Sequence, residues 1–177
     1  MMAADTSDWD VFLGDLRLLR RTPYRYYREC AHELAARMLA LVIPRTPVGT
    51  YPNDSGKQGG TLRRGWTAKT QREAESNPGT PSQTAARAWA YSLAVRHIGD
   101  TYEVDVINPV EYASYVEYGH RQEPGRYVPA LGKRLKKSWV NGQYMLTTSE
   151  AELKAIQPQV LEQVLQRWLT EVFERGQ

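Results

Sequence analysis

Apolar residues recur at helical spacing in two blocks near the start of the chain. The first block follows Ser7, a good helix cap, and contains Trp9, Phe12, Leu13, Leu16 and Leu19. The second begins at Thr22 and Pro23, a cap followed by a residue that fits the first helical turn. Its apolar stripe consists of Tyr27, Ala31, Leu34, Ala35, Met38, Leu41 and Val42. The pattern predicts a helical N-terminal part over residues 1–43, with the second helix ended by Pro44.

Residues 44–60 replace this stripe with prolines, glycines and short polar residues. Such a composition disfavours both helix and strand. A long loop in a small domain is typical of a segment that becomes ordered against a partner. We therefore predict an extended arm over residues 44–60, and a second irregular loop over residues 120–138.

Apolar and polar residues alternate between residues 61 and 107, which predicts a β-meander. The alternating apolar positions are Leu62, Trp66 and Ala68, then Trp89, Tyr91, Leu93 and Val95, then Tyr102, Val104 and Val106. Gly99 and Asp100 indicate a hairpin turn between the last two runs. We expect an antiparallel sheet of three to four strands.

Helical signals return in the second half of the chain. Asn108, Pro109 and Glu111 form a dense helix start, and Gly119 can close a short helix over residues 108–119 in a left-handed conformation. Residues 139–177 carry a further apolar stripe, which Pro158 is expected to divide into two helices. Together these elements predict one α+β domain over residues 1–177, with the sheet packed against the N-terminal and C-terminal helices.

Composition limits what such a domain can do. The chain has 177 residues, 23 of them basic and 20 acidic, for a net charge of +3. No apolar run approaches the roughly 20 residues of a membrane span, and the N-terminus lacks the features of a signal peptide. The single cysteine, Cys30, excludes an internal disulfide and is interpreted as a small buried hydrophobe.

No set of residues predicts an active site. His32 lacks a second histidine four residues later, His97 ends a predicted strand, and His120 follows the Gly119 helix stop. One thiol and three scattered histidines do not make a metal site. We therefore expect no enzyme, no cofactor and no metal.

Two other classes of protein remain. A stand-alone nucleic-acid-binding module would use Arg63, Arg64 and the basic cluster at residues 133–137, although a solvated surface is the alternative interpretation. A structural assembly protein would explain the two long loops and the excess of 11 Tyr and 5 Trp over 2 Phe. Tyr and Trp suit surfaces that are exposed in one state and buried in another.

Three stretches resemble a known family. Residues 46–49 together with 59–66 resemble the run T-P-V-D-T-G-x-L-R-x-S-W, with residues 51–58 as an insertion. Residues 108–120 resemble N-x-x-x-Y-A-x-Y-V-E-x-G-H, and residues 139–146 resemble W-V-x-G-x-x-M-L. The family is that of the small neck or tail-completion proteins of tailed bacteriophages.

This resemblance implies a non-enzymatic virion protein that is assembled in the host cytoplasm and located in the neck. It implies a ring, usually of six subunits, between the capsid connector or head-completion proteins and the tail terminator or tail tube, with possible passive contact with DNA in the lumen. The flanks of the two loops then supply the predicted subunit or partner contacts. These are Tyr51, Arg63, Arg64, Trp66, Tyr118, Arg121, Arg126 and Tyr127. For Trp66, a core position is the other interpretation.

Overall fold

The structure is a computed structural model that describes residues 13, 14, 17, 23–51, 59–77, 79–129 and 132–174. Of the predicted first helix, Leu13, Gly14 and Arg17 are described and are helical. The other residues of that helix lie outside the described residues, as do residues 52–58 of the predicted arm.

The described residues form helices and short antiparallel sheets, so the α+β class is confirmed. The helices are α1 (Pro23–Arg45), α2 (Thr61–Gly65), α3 (Gln71–Ser76), α4 (Gln83–Ser92), α5 (Ala113–Tyr118) and α6 (Met145–Glu174). The strands are β1 (Val95–Ile98), β2 (Thr101–Val104), β3 (Gly119–Arg121), β4 (Tyr127–Val128), β5 (Lys133–Arg134) and β6 (Trp139–Asn141).

The strands pair in three two-stranded antiparallel sheets, β1 with β2, β3 with β6 and β4 with β5. In the first sheet Val95 lies opposite Val104, and Ile98 opposite Thr101. The hairpin predicted at Gly99 and Asp100 is confirmed, because these two residues connect the paired ends of β1 and β2. Gly99 has a φ of +59°, a conformation that favours glycine.

Two segments of the predicted meander are helical instead. Leu62 and Trp66 were assigned to a strand, but both are buried at the start and end of α2. The run through Trp89 belongs to α4, whose alanines favour a helix and whose buried face is formed by Ala86 and Ala90. A spacing of four residues fits one face of a helix as well as one face of a strand, which explains the error.

Three predicted helix boundaries also need correction. Pro44 lies inside the last turn of α1, where a missing N–H removes only one hydrogen bond. Pro158 does not divide α6, because this part of the helix is exposed and water can bind the freed carbonyl group. Asn108 caps a turn through its bond to the Val110 N–H, 3.2 Å long, and α5 begins only at Ala113.

The core lies between α1 and the elements that pack around it. Helix α6 runs antiparallel to α1, since Arg25 at the start of α1 pairs with Glu171 and Arg45 at its end pairs with Glu152. The buried cluster combines residues of α1, α2, α4 and α6 with the turn before α5. Its largest members are Leu39, Val42, Ile43, Leu62, Trp66, Val110 and Met145. Cys30 is buried, as predicted.

The described residues contain neither a membrane-spanning helix nor a cluster that could hold a metal ion. None of the described helices is long and apolar enough to cross a membrane. No group of three or more His, Cys, Asp or Glu side chains in the described part of the chain could hold a metal ion.

Candidate functional site

Residues 119–141 form an antiparallel β-ribbon, here called the ribbon, whose tip residues 130 and 131 lie outside the described residues. Strands β3 and β4 run outward, and β5 and β6 return. Backbone hydrogen bonds continue the pairing between the two sheets, from the Gln122 N–H to the Ser138 carbonyl (2.8 Å) and from the Leu135 N–H to the Arg126 carbonyl (2.9 Å). The predicted irregular loop over residues 120–138 is therefore corrected to a paired ribbon.

No described residue of the ribbon is buried, which explains why its sequence lacks the alternation of a half-buried strand. Four large aromatic residues at its base are also exposed, and we call them the aromatic base. They are Tyr115 (59% exposed), Tyr118 (59%), Trp139 (49%) and Tyr144 (50%). Isolated apolar residues on a surface are ordinary, but four from two segments that β3 and β6 pair together are typical of a contact surface.

The buried carboxylate of Glu117 fixes the base of the ribbon to the long helix α6. It accepts hydrogen bonds from the Leu146 and Thr147 N–H groups, both 2.9 Å long, and from the Thr147 hydroxyl at 2.7 Å. These N–H groups belong to the first turn of α6 and have no partners within the helix. The carboxylate is therefore a helix cap that comes from a different element, placed where the helix dipole favours negative charge.

Two glycines let the strands at the base approach closely. Gly119 has a φ of +83°, and a Cβ atom there would lie 2.4 Å from the Val140 carbonyl oxygen. A Cβ atom on Gly142 would lie 2.2 Å from the Glu117 carbonyl oxygen. The positive φ predicted at Gly119 is confirmed, and the two glycines join the stretch at residues 108–120 to the stretch at residues 139–146.

The remaining stretch of the resemblance, residues 46–49 with 59–66, is organised around Thr46 and Trp66. The Trp66 Nε1–H donates to the Thr46 hydroxyl at 2.7 Å, and that hydroxyl donates to the Val42 carbonyl at the same distance. Arg63 donates through Nε to the Thr46 carbonyl, 2.9 Å away. These hydrogen bonds hold Thr46, the first residue after α1, against α2 and Trp66.

The same segment is linked to the turn before α5. The Asn108 Nδ2–H donates to the Leu62 carbonyl at 2.8 Å. A Cβ atom on Gly65 would lie 2.2 Å from the Asn108 amide oxygen, so only glycine fits there. The buried Arg64 donates to the Ala74 carbonyl at 2.7 Å and to the Gly59 carbonyl at 2.9 Å. The three stretches therefore form one connected support for the ribbon.

The structure divides the eight predicted contact residues into two groups. Tyr118, Arg121, Arg126 and Tyr127 lie exposed on the ribbon or at its base. By contrast, Arg63, Arg64 and Trp66 bind groups of their own chain, with Arg64 and Trp66 buried, and Tyr51 lines a cavity that is separate from the ribbon. The structure therefore does not bring the eight residues together, and partner contact remains a prediction for each.

Tyr51 lines a small cavity of about 210 Å³ together with Tyr112 and the glycines at residues 49, 59 and 60. Burial raises the pKa of Tyr112, and the neighbouring Tyr51 and Glu75 raise it further. The Tyr112 phenol is therefore a neutral hydrogen-bonding group at physiological pH, which suits a packing role.

Sequence reasoning missed the residue that holds this region together, Glu117. The sequence contains two signals for it, a single carboxylate in an otherwise uncharged helix and its place as the E of the motif at residues 108–120, but its partners lie about 30 positions further on. The aromatic base was also missed as a set, because Tyr115 and Trp139 were interpreted only as parts of their motifs.

Two open grooves lie along the ribbon and share no lining residue. The first, of about 560 Å³, is lined by Arg121, Arg126, Tyr127 and Leu135 among others. The second, of about 750 Å³, is lined by Lys136, Lys137 and Trp139 among others. The ribbon therefore offers two separate surfaces.

A buried ionic cluster lies elsewhere, between α1, α4 and α6. Glu33 accepts hydrogen bonds from Arg87 (2.6 Å) and from the Tyr91 hydroxyl (3.0 Å), and it also pairs with Arg37. Burial alone would raise the pKa of Glu33, but these hydrogen bonds and the two arginine charges lower it to about 2. Burial and the nearby carboxylates of Glu29 and Glu33 raise the pKa of Tyr91. Arg167 of α6 lies 3.7 Å from the same carboxylate, so the cluster holds the three helices together.

Comparison with known proteins gives one match. Residues 24–119 match the model of the HK97-gp10-like family, described as the bacteriophage HK97-gp10 tail component. This region is more than half of the chain and ends at the first residue of the ribbon. Neither the curated proteins nor the solved structures contain a match.

Proposed function

The chain belongs to the HK97-gp10-like family of bacteriophage tail components, and from this premise we propose that it forms a ring in the phage neck that joins the head to the tail. In this proposal the protein is non-enzymatic, is assembled in the host cytoplasm and resides in the virion. Its partners are further copies of itself, the capsid connector or head-completion proteins, and the tail terminator or tail tube proteins.

The aromatic base is the observation that carries the proposal. Large aromatic residues that are exposed on a single subunit stabilise an assembly when a partner covers them, because each buries a large apolar area. Interfaces commonly depend on a few Tyr, Trp and Arg residues. Tyr118 and Trp139 at the base, with Arg121, Arg126 and Tyr127 in the first groove, provide such a set.

The support beneath this set also suits a joining protein. Gly119, Gly142 and Glu117 hold the base by backbone contacts and hydrogen bonds rather than by flexible side chains. A surface held rigidly before binding loses less conformational entropy when the partner docks. The ribbon and its base are thus positioned before assembly.

The proposal is tested with the double variant Tyr118→Ser/Trp139→Ser. Purified subunits are compared with the wild type by light scattering over a range of concentrations, and by their ability to restore joining of separately purified heads and tails that lack this protein. We expect a folded subunit that neither forms the ring nor joins heads to tails.

The matched control is Ile98→Ser/Ile107→Ser, which removes two apolar residues outside the ribbon and the aromatic base, 57% and 66% exposed. This control should assemble and join like the wild type. Normal joining by Tyr118→Ser/Trp139→Ser would overturn the role of the aromatic base, and a wild type that fails to restore joining would overturn the proposed function itself.

A further inference from the structure

The positive charge of this protein is concentrated in one acid-free segment. Between Glu123 and Glu150 there is no acidic residue, whereas five of the 23 basic residues lie there. The rest of the chain has 18 basic and all 20 acidic residues, a net charge of −2. The net charge of +3 therefore comes entirely from this segment, most of which is the outer ribbon and its returning strand.

Four of these cations lie in the five-residue stretch 133–137, on the returning side of the ribbon. They are Lys133, Arg134, Lys136 and Lys137. All four side chains are exposed. Among the described residues none of them forms an ion pair with a carboxylate, although elsewhere Arg25, Arg87, Arg96 and Lys154 all do. The one side-chain bond among the four runs from Arg134 to the Gly125 carbonyl, at 2.7 Å, and leaves its charge uncompensated.

We propose that this lysine-rich segment of the ribbon, residues 133–137, binds the phosphate backbone of duplex DNA without sequence preference. The inference rests on the proposed function, since a position in the neck brings the ribbon within reach of the DNA that passes from head to tail. It goes beyond that function by naming the element and the chemical class of its ligand.

Charge and chemistry favour DNA over an acidic protein surface. Protein interfaces are depleted of lysine, whereas three of these four cations are lysines, and among the described residues Trp139 is the one aromatic residue that lines the second groove with Lys136 and Lys137. Exposed lysines act as flexible point charges, which suits a uniform row of phosphates. Contacts to phosphates alone carry no sequence information and allow a protein to slide along the duplex.

The two surfaces of the ribbon then have separate tasks. The groove with Arg121, Arg126 and Tyr127 faces protein partners, and the segment at residues 133–137 faces DNA. Because the grooves share no lining residue, substitution of Lys136 and Lys137 leaves the first groove intact.

The test measures binding of the purified full chain to a fluorescently labelled duplex of about 20 base pairs by anisotropy, at several salt concentrations from about 50 to about 200 mM. The variant is Lys133→Gln/Lys136→Gln/Lys137→Gln. The matched control is Lys69→Gln/Arg72→Gln/Lys154→Gln, which removes the same charge from exposed positions outside the ribbon.

With four phosphate contacts, wild-type affinity should fall about 100-fold over this salt range. Each lost contact lowers the slope of log K against log salt by about 0.9, so the ribbon variant should lose almost three units of slope. The control variant should keep the wild-type slope. Circular dichroism should give all three proteins the same melting temperature.

Several results would overturn the proposal. One is a wild type without measurable binding at the lowest salt concentration, and another is a control variant that loses as much slope as the ribbon variant. Displacement of the duplex by poly-glutamate at equal charge concentration would indicate an acidic protein ligand instead. Because none of these measurements uses heads or tails, they are independent of the joining assay.

Discussion

The carboxylate of Glu117 and both donors of Thr147 form the cap that starts the long helix α6, with bonds of 2.9 Å from the N–H and 2.7 Å from the hydroxyl. Replacing Glu117 with Gln removes the charge and one acceptor oxygen but keeps the shape. We expect Glu117→Gln to lower the free energy of unfolding by about 2 kcal/mol, as for other buried charged hydrogen bonds. Urea denaturation measures the change.

The matched control is Glu111→Gln, which changes an exposed glutamate near the start of α5. This variant should stay within about 0.5 kcal/mol of the wild type. If both variants unfold at the same urea concentration as the wild type, the cap contributes nothing measurable and the interpretation of Glu117 is wrong.

Gly119 and Gly125 both have a positive φ, of +83° and +87°, and Gly119 also has a ψ of 171°, a combination that is essentially restricted to glycine. A Cβ atom on Gly119 would meet the Val140 carbonyl, whereas one on Gly125 would meet nothing within 4 Å. Gly125→Ala should cost about 1–2 kcal/mol, the strain of a left-handed residue. Gly119→Ala should cost at least about 2 kcal/mol more, because the strands must separate. Thermal unfolding of both variants tests this, and equal losses would contradict the close approach.

Stability should depend on pH through Glu33. Its pKa is lowered from 4.5 to about 2 in the folded protein, so folding favours the ionised form. The resulting stabilisation is fully present above about pH 4.5 and is lost as the pH falls towards 2. The shift corresponds to a contribution on the order of 3 kcal/mol. Urea midpoints measured between neutral and acidic pH should fall more steeply for the wild type than for Glu33→Gln, and parallel curves would exclude Glu33 as the source.

The insertion at residues 51–58 should be dispensable for folding. Gly49 and Gly59, on either side of it, are already in contact, since a Cβ atom on Gly59 would lie 2.0 Å from the Gly49 carbonyl oxygen. Deleting residues 51–58 should therefore leave a folded, soluble subunit, as measured by circular dichroism, that no longer joins heads to tails. A deletion variant that is unfolded would place this segment in the core instead.

Sequence patterns predicted the parts of this fold that a buried face determines. Helix α1 has a long stripe of core residues, the hairpin at Gly99 has a turn with a characteristic composition, and Cys30 lies among apolar neighbours. In each case the cause of the local structure is visible in neighbouring residues of the sequence. It is either an apolar face that becomes buried or a turn that requires a positive φ. The α+β class follows from these elements.

The remaining errors share a different cause. Leu62 and Trp66 are four residues apart, and this spacing alone cannot distinguish a strand from the helix α2. The ribbon has no buried face, so no alternation marks its strands. Glu117 acts on residues about 30 positions away, and only the folded chain brings them together. The candidate surface therefore depends on contacts between distant segments, which a single sequence does not specify.

Helix α6 continues through Pro158 as one rod of 30 residues, about 45 Å long at 1.5 Å per residue. Glu117 fastens its first turn to the base of the ribbon, and Glu171 near its other end is bound to Arg25, 2.8 Å away. A force that pulls on the ribbon consequently enters the rod at one tip and is carried along its axis to the far side of the subunit. Because Met145 belongs to the core and Val160 and Val164 are buried, the packed interior shares this load along the length of the helix.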